Sequence, residues 1–217
     1  MRKERCMKKI INFIILAIFI TISYITNSTL IEILASLFGL ICIYLAAKEN
    51  IWTYPTGIIN IILFLLIFYD AKLYADMMLQ GMFFILSLYG WVYWLRNRGE
   101  KNVRPTTKLN LSGWILVIIL TPILSFVWGY LLNEYTDASV PYLDSFIATT
   151  SVVAQVLLSS KKFENWYLWI LVDILSVGLY AYKGLYTISF TYFVFLIICI
   201  LGVVKWRKEY DKGVYSG

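Results

Sequence analysis

The residue that most constrains this sequence is an acid in the middle of an apolar run. Asp173 lies nine residues from Glu164 and ten from Lys183. On a helix rising ~1.5 Å per residue, that places it roughly 14 Å from either boundary. A carboxyl at such depth costs about 2.5–3.5 kcal/mol on insertion scales, so it must face protein or a water-filled hollow. Trp166, Trp169, Asp173, Ser176 and Tyr180 recur at steps of three and four, which makes them one stripe on a helix. Aromatic faces around a carboxylate suit a planar cation: each ring–cation contact contributes ~0.5–2 kcal/mol and the acid supplies the countercharge. The plainer readings are a helix–helix hydrogen bond, for instance Asp173 with Ser176, and a membrane-belt role for Trp166.

Three amides could accompany that stripe. Asn60 is ten residues from both Asn50 and Asp70, Gln155 is eleven from Asp144, and Gln80 sits nearer one end of its run. Amides both donate and accept, so they can read a carboxamide or sugar hydroxyls. The alternative for each is polar glue between helices. Trp52 opens the run that contains Asn60 and is the expected counterpart of Trp166.

The elements that carry these groups are set by composition. Of 217 residues, 60% are hydrophobic and 15% charged, against roughly 45–50% and 25% in a globular chain. Apolar runs fall at about 10–26, 30–47, 51–69, 73–95, 112–132, 142–160, 165–182 and 185–206. Each is about long enough to cross a hydrocarbon core, and continuous apolar runs in lipid must be helical. Eight spans are therefore predicted, the third and seventh interrupted by Pro55–Thr56–Gly57 and by Asp173. The Pro55–Gly57 break is expected to act as a kink, a hinge or the floor of a site. The first run, behind Arg2, Lys3, Arg5, Lys8 and Lys9, resembles a signal peptide. Its length and the lack of a small-x-small site at Ser23–Thr26 favour a retained span.

Charge then orients the chain. With the N-terminus inside, Lys72 and Lys183 are the only two of the 19 basic residues that fall on the outer side. This split predicts both termini in the cytoplasm and a multi-pass protein of the cell membrane. It also explains the net charge of +6 without nucleic acid. Histidine is absent and Cys6, Cys42 and Cys199 are isolated, which excludes His-based metal sites, His-centred triads and a disulfide framework. No cofactor, no metal site and no ATP-binding motif is expected, and an enzyme is disfavoured.

The third and seventh spans resemble each other. Asn50–Ile51–Trp52–Thr53–Tyr54–Pro55 and Asn165–Trp166–Tyr167–Leu168–Trp169 open them. Asn60 and Asp173 sit near their middles. Leu73–Tyr74 and Leu185–Tyr186 lead out of them. A duplication of three spans is expected: residues 29–98 as one three-helix bundle and 135–208 as another. A loop and linker helix at 99–134 join them, with an accessory helix in 1–28 and a tail at 209–217. The linker makes an even number of crossings, so the two bundles point the same way. Parallel repeats of this kind place a substrate site at their interface near mid-membrane.

The repeat plan, Asn165–Trp166–x–x–Trp169–x–x–x–Asp173, Tyr182–Lys183–Gly184–Leu185–Tyr186, and the stretch from Trp52 through Pro55 and Gly57 to Asn60 together resemble the PnuC vitamin-precursor transporters. The likeness covers about residues 30–208. It implies an all-α, SWEET-like fold in a homotrimer. The implied activity is facilitated diffusion of nicotinamide riboside by alternating access, with a cytoplasmic kinase trapping the cargo as its phosphate. Relatives that carry thiamine or riboflavin keep those cargoes open as alternatives. By motif, Trp166, Trp169 and Asp173 match the family signature, and Asn60 and Gln155 are implied as polar groups of the site.

Overall fold

A computed structural model describes residues 29–70, 74–96, 102–136, 139–184 and 186–215. The expected first span at 10–26 lies outside the described residues. Seven α-helices follow: α1 (Leu30–Ala47), α2 (Thr53–Asp70), α3 (Tyr74–Leu95), α4 (Leu111–Tyr135), α5 (Pro141–Ser159), α6 (Asn165–Tyr182) and α7 (Tyr186–Tyr215). No strand occurs among the described residues. One isolated bridge joins Thr107 to Lys162.

Local chemistry sets the ends. Thr29 and Glu32 form a reciprocal capping box at the start of α1, so each satisfies a backbone N–H that the first turn leaves unpaired. Asn110 caps α4 and Pro141 opens α5 at its first position, where its missing N–H is no loss. The same reasoning corrects the expectation for Pro55 and Gly57. Pro55 falls in the first turn of α2, which begins at Thr53, and Gly57 continues the same unbroken helix, so they start a helix instead of breaking one. The apolar run beginning at Ile51 hid that boundary. α7 runs on to Tyr215, past the apolar run and through residues assigned to a tail, since a charged sequence can stay helical once it leaves lipid.

Six of the seven helices are long and apolar enough to cross a membrane. The remaining one, α6, has the same 18-residue length as α1 and α2 but carries Asn165, Asp173 and Ser176 on its buried side. The helices pack in a closed ring: α1 on α2, α2 on α3, α3 on α5, α5 on α6, α6 on α7, and α7 back on α1. α4 stands outside the ring against α5. It buries Val117, Thr121, Ser125 and Gly129, small residues that let two backbones approach closely. Its other faces expose Ile115, Leu116, Ile118, Ile119 and Phe126, which suits contact with lipid and not water.

The ring has an internal two-fold relation in a single register. Glu49 and Lys161 are 112 positions apart, and the same interval recurs between equivalent points of the two halves. It converts the ends of α2, Thr53 and Asp70, into those of α6, Asn165 and Tyr182. It also converts Trp94 into Trp206, both fully buried. Trp94 Nε1 donates to the Leu158 carbonyl at 3.1 Å, and Trp206 Nε1 donates to its repeat counterpart, the Ala46 carbonyl, at 3.0 Å. Each indole thus crosses to the end of the other half's first helix. A Cβ at Gly90 would come within 2.5 Å of Tyr54 and one at Gly202 within 2.7 Å of Trp166, so equivalent glycines receive equivalent rings. In this register the counterpart of Trp166 is Tyr54, and Trp52 is two residues out of phase.

Candidate substrate-binding site

The α6 stripe does lie on one face, and α7 meets it with a stripe of its own: Tyr192, Phe195, Cys199, Gly202 and Trp206, at the same steps of three and four. At the N-terminal end of α6 the Trp166 ring sits over Gly202 and edge-on to Trp206, with centroids 5.5 Å apart. In the middle Cys199 Sγ donates to Asp173 Oδ2 at 3.2 Å. Toward the C-terminal end of α6 Tyr180 stacks on Tyr192 at 5.3 Å, and Tyr192 is edge-on to Phe195 at 5.8 Å.

Asp173 is 2% exposed and turned inward, away from the lipid-facing surface. It takes part in no ion pair among the described residues. Its hydrogen-bond donor is a thiol, which binds a carboxylate weakly. One turn away Ser176 Oγ is buried and lacks a hydrogen-bond partner among the described residues. A buried acid and a buried hydroxyl that the protein itself leaves undersatisfied are groups a ligand can complete. Trp169 is half-buried between Asp173 and the aromatic layer around Trp166, against which it packs.

The other expected site residues divide. Trp166, 1% exposed, is held in that layer with Tyr54, Trp94, Phe163 and Trp206, about two turns from Asp173, and packs the fold. Tyr180 lies as far to the other side. Asn60 is half-buried on α2, and its Nδ2 donates to the Ala35 carbonyl at 2.7 Å, so half of its amide ties α2 to α1. Gln155 on α5 and Gln80 on α3 are half-buried. Trp52 is 64% exposed, just before α2 begins, and is not brought to the others. In the first half Tyr54 fills the place that Trp166 fills in the second.

The family described as nicotinamide mononucleotide transporter matches residues 29–208, which take in α1 to α6 and most of α7. The chain belongs to this family, the PnuC transporters. A nicotinamide riboside transporter PnuC of Escherichia coli is 30% identical, the match covering 81% of this chain and 84% of that protein. A PnuC protein of the same description from Neisseria mucosa is 28% identical over 80% and 70%. A riboflavin/roseoflavin transporter, RibM, of Streptomyces davaonensis is 24% identical over 81% and 83%. The crystal structure of the vitamin B3 transporter PnuC is similar with a TM-score of 0.73 and 25% identity, covering 92% of this chain and 90% of that one. The chain is therefore a multi-pass membrane transporter and not an enzyme.

Cys199, Tyr192 and Phe195 were not among the residues the sequence singled out. Their signal was present in the regular spacing on the eighth span. A thiol and two aromatics in an apolar run carry no charge to draw attention, whereas Asp173 does.

Proposed function

We propose that the chain carries nicotinamide riboside across the cell membrane by facilitated diffusion, through the six-helix ring, opening alternately to either side. The observation that carries this reading is Asp173, buried at mid-span beside Ser176 with a thiol for its donor. A pyridinium ring seated against Trp169 would place its positive charge toward that carboxylate, and the ring quadrupole adds to the attraction. Ser176, with Gln155 and the free half of the Asn60 amide, would take the carboxamide and ribose hydroxyls. The nicotinamide riboside transporters among the relatives point to the same cargo.

The fold supports the accompanying proposals. The ring and its two-fold register fit two parallel three-helix bundles, α1–α3 and α5–α7, with α4 as linker. α6 must cross the bilayer for α5 and α7 to keep their places, and the expected first span would bring the crossings to eight. With both termini inside, the layer containing Trp94 and Trp206 is cytoplasmic and the Lys183–Asp144 pair, 3.2 Å long, is on the outer face. Phosphorylation by a cytoplasmic kinase would hold the cargo inside, and a homotrimer would be the working assembly.

The second reading keeps the transporter and changes the cargo. RibM favours riboflavin, but a neutral flavin has no use for a buried acid. Thiamine, a planar cation, does. Uptake of labelled nicotinamide riboside into liposomes holding the purified protein tests the choice. Saturable uptake unaffected by excess thiamine or riboflavin supports the proposal, whereas uptake of either competitor in its place refutes it.

A further inference from the structure

At the inner end of the ring, α1 and α5 stop in the same way. Each is followed by a residue in left-handed backbone, Glu49 at φ 54° and Lys161 at φ 57°. Gly or Asn usually fills that place, because a Cβ is strained there. Here it holds two residues of opposite charge that are repeat counterparts. The strained turns direct both side chains to the junction of the halves, where Lys161 Nζ is 3.1 Å from Glu49 Oε1, the side chains being 0% and 16% exposed. The counterpart indoles flank the ammonium: Nζ is 3.7 Å from the Trp94 ring centroid and 4.1 Å from that of Trp206.

The segment 102–110 closes over this pair from the cytoplasmic side. Thr106 Oγ1 donates to Glu49 Oε1. Thr107 N donates to the Lys161 carbonyl at 3.0 Å, and Arg104 N donates to the Trp94 carbonyl at 2.8 Å. The strap therefore holds residues of both halves at one point.

We propose that the Glu49–Lys161 pair is the inner latch of the transporter: closed while the site faces outward, parted when the cargo leaves to the cytoplasm. The proposal rests on the alternating-access reading above. Well-packed apolar groups would join two halves permanently at less desolvation cost. An ion pair instead holds strongly while dry and weakly once water enters, which suits a contact that must be made and broken in every cycle. Its two members come from opposite halves, so separating the halves separates the charges.

The repeat relation supplies a specific test. Positions 49 and 161 share left-handed backbone and direct their side chains to one junction, so E49K/K161E should rebuild the latch with its charges exchanged. The native Cys199, fully buried beside Asp173, reports opening from inside. In full-length protein with C6S and C42A, labelling of Cys199 by a membrane-impermeant maleimide is followed in inside-out vesicles, alongside nicotinamide riboside uptake and thermal unfolding. Labelling should be about tenfold faster in E49Q and E49K than in the parent, and should return toward the parent rate in E49K/K161E. Equal labelling in the parent and E49Q, or a double variant that labels as fast as E49K, overturns the latch. If E49K fails to fold, E49Q and the exchange decide. A parent that carries no nicotinamide riboside while the labelling pattern stands refutes the cargo and leaves the latch. Normal uptake with unchanged labelling does the reverse.

Discussion

Two residues of the α6 stripe make opposite predictions, because one is undersatisfied and the other is packed. Asp173 burdens the fold, since a buried acid at mid-span costs about 2.5–3.5 kcal/mol on insertion scales. Asp173→Leu should thus leave thermal stability unchanged or higher while abolishing nicotinamide riboside uptake, and unfolding and transport measured on the same preparation check both halves of that statement. Trp166 is enclosed by Gly202 and Trp206, so Trp166→Ala should destabilise the protein by about 3–5 kcal/mol. Trp169→Ala, at the open part of the stripe, should raise KM for uptake by about two- to thirty-fold, the equivalent of ~0.5–2 kcal/mol of ring–cation attraction. A Trp169 variant that loses stability and keeps its KM would move that residue from the site to the core.

At the scale of elements, the sequence located the helices well because lipid leaves little choice. A continuous apolar run must satisfy its own backbone, and the runs at 30–47 and 165–182 coincide with α1 and α6. It failed where local detail decides. Pro55 and Gly57 read as an interruption only if the third span starts at Ile51. Starting at Thr53, the proline is in the first turn, where it removes no helical hydrogen bond. Pro55→Ala is accordingly expected to change stability by less than about 1 kcal/mol, compared with the ~3 kcal/mol of an interior proline, and to leave transport intact. Loss of transport without loss of stability would restore the hinge reading. Gly202→Val should cost about 1–3 kcal/mol by forcing a side chain into the Trp166 ring, and Gly90→Val should do the same against Tyr54. Chemical denaturation of both variants measures whether the two halves share this contact.

For the whole molecule, the likeness of the third and seventh spans was legible but its register was not. Matching Trp52 to Trp166 follows residue type, and tryptophans are the most visible letters in an apolar sequence. The fold matches Tyr54 to Trp166 through their glycines, and that places Ile61 opposite Asp173 and Val172 opposite Asn60. The two halves are thus alike in packing and unlike in polarity, which is what an asymmetric cargo with one charged ring needs. Pairs drawn from opposite halves, such as Glu49 with Lys161, were beyond reach of the sequence because nothing local marks them.

The central claim is that the carboxylate of Asp173 answers the positive charge of the cargo. Its most direct test compares uptake of nicotinamide riboside with uptake of its reduced, uncharged dihydro form, in liposomes containing either the native protein or Asp173→Asn. The account predicts that the native protein prefers the cation. In Asp173→Asn, uptake of the cation should fall by about tenfold or more, while uptake of the neutral form changes little. Equal loss for both forms, or undiminished uptake of the cation by Asp173→Asn, would contradict it.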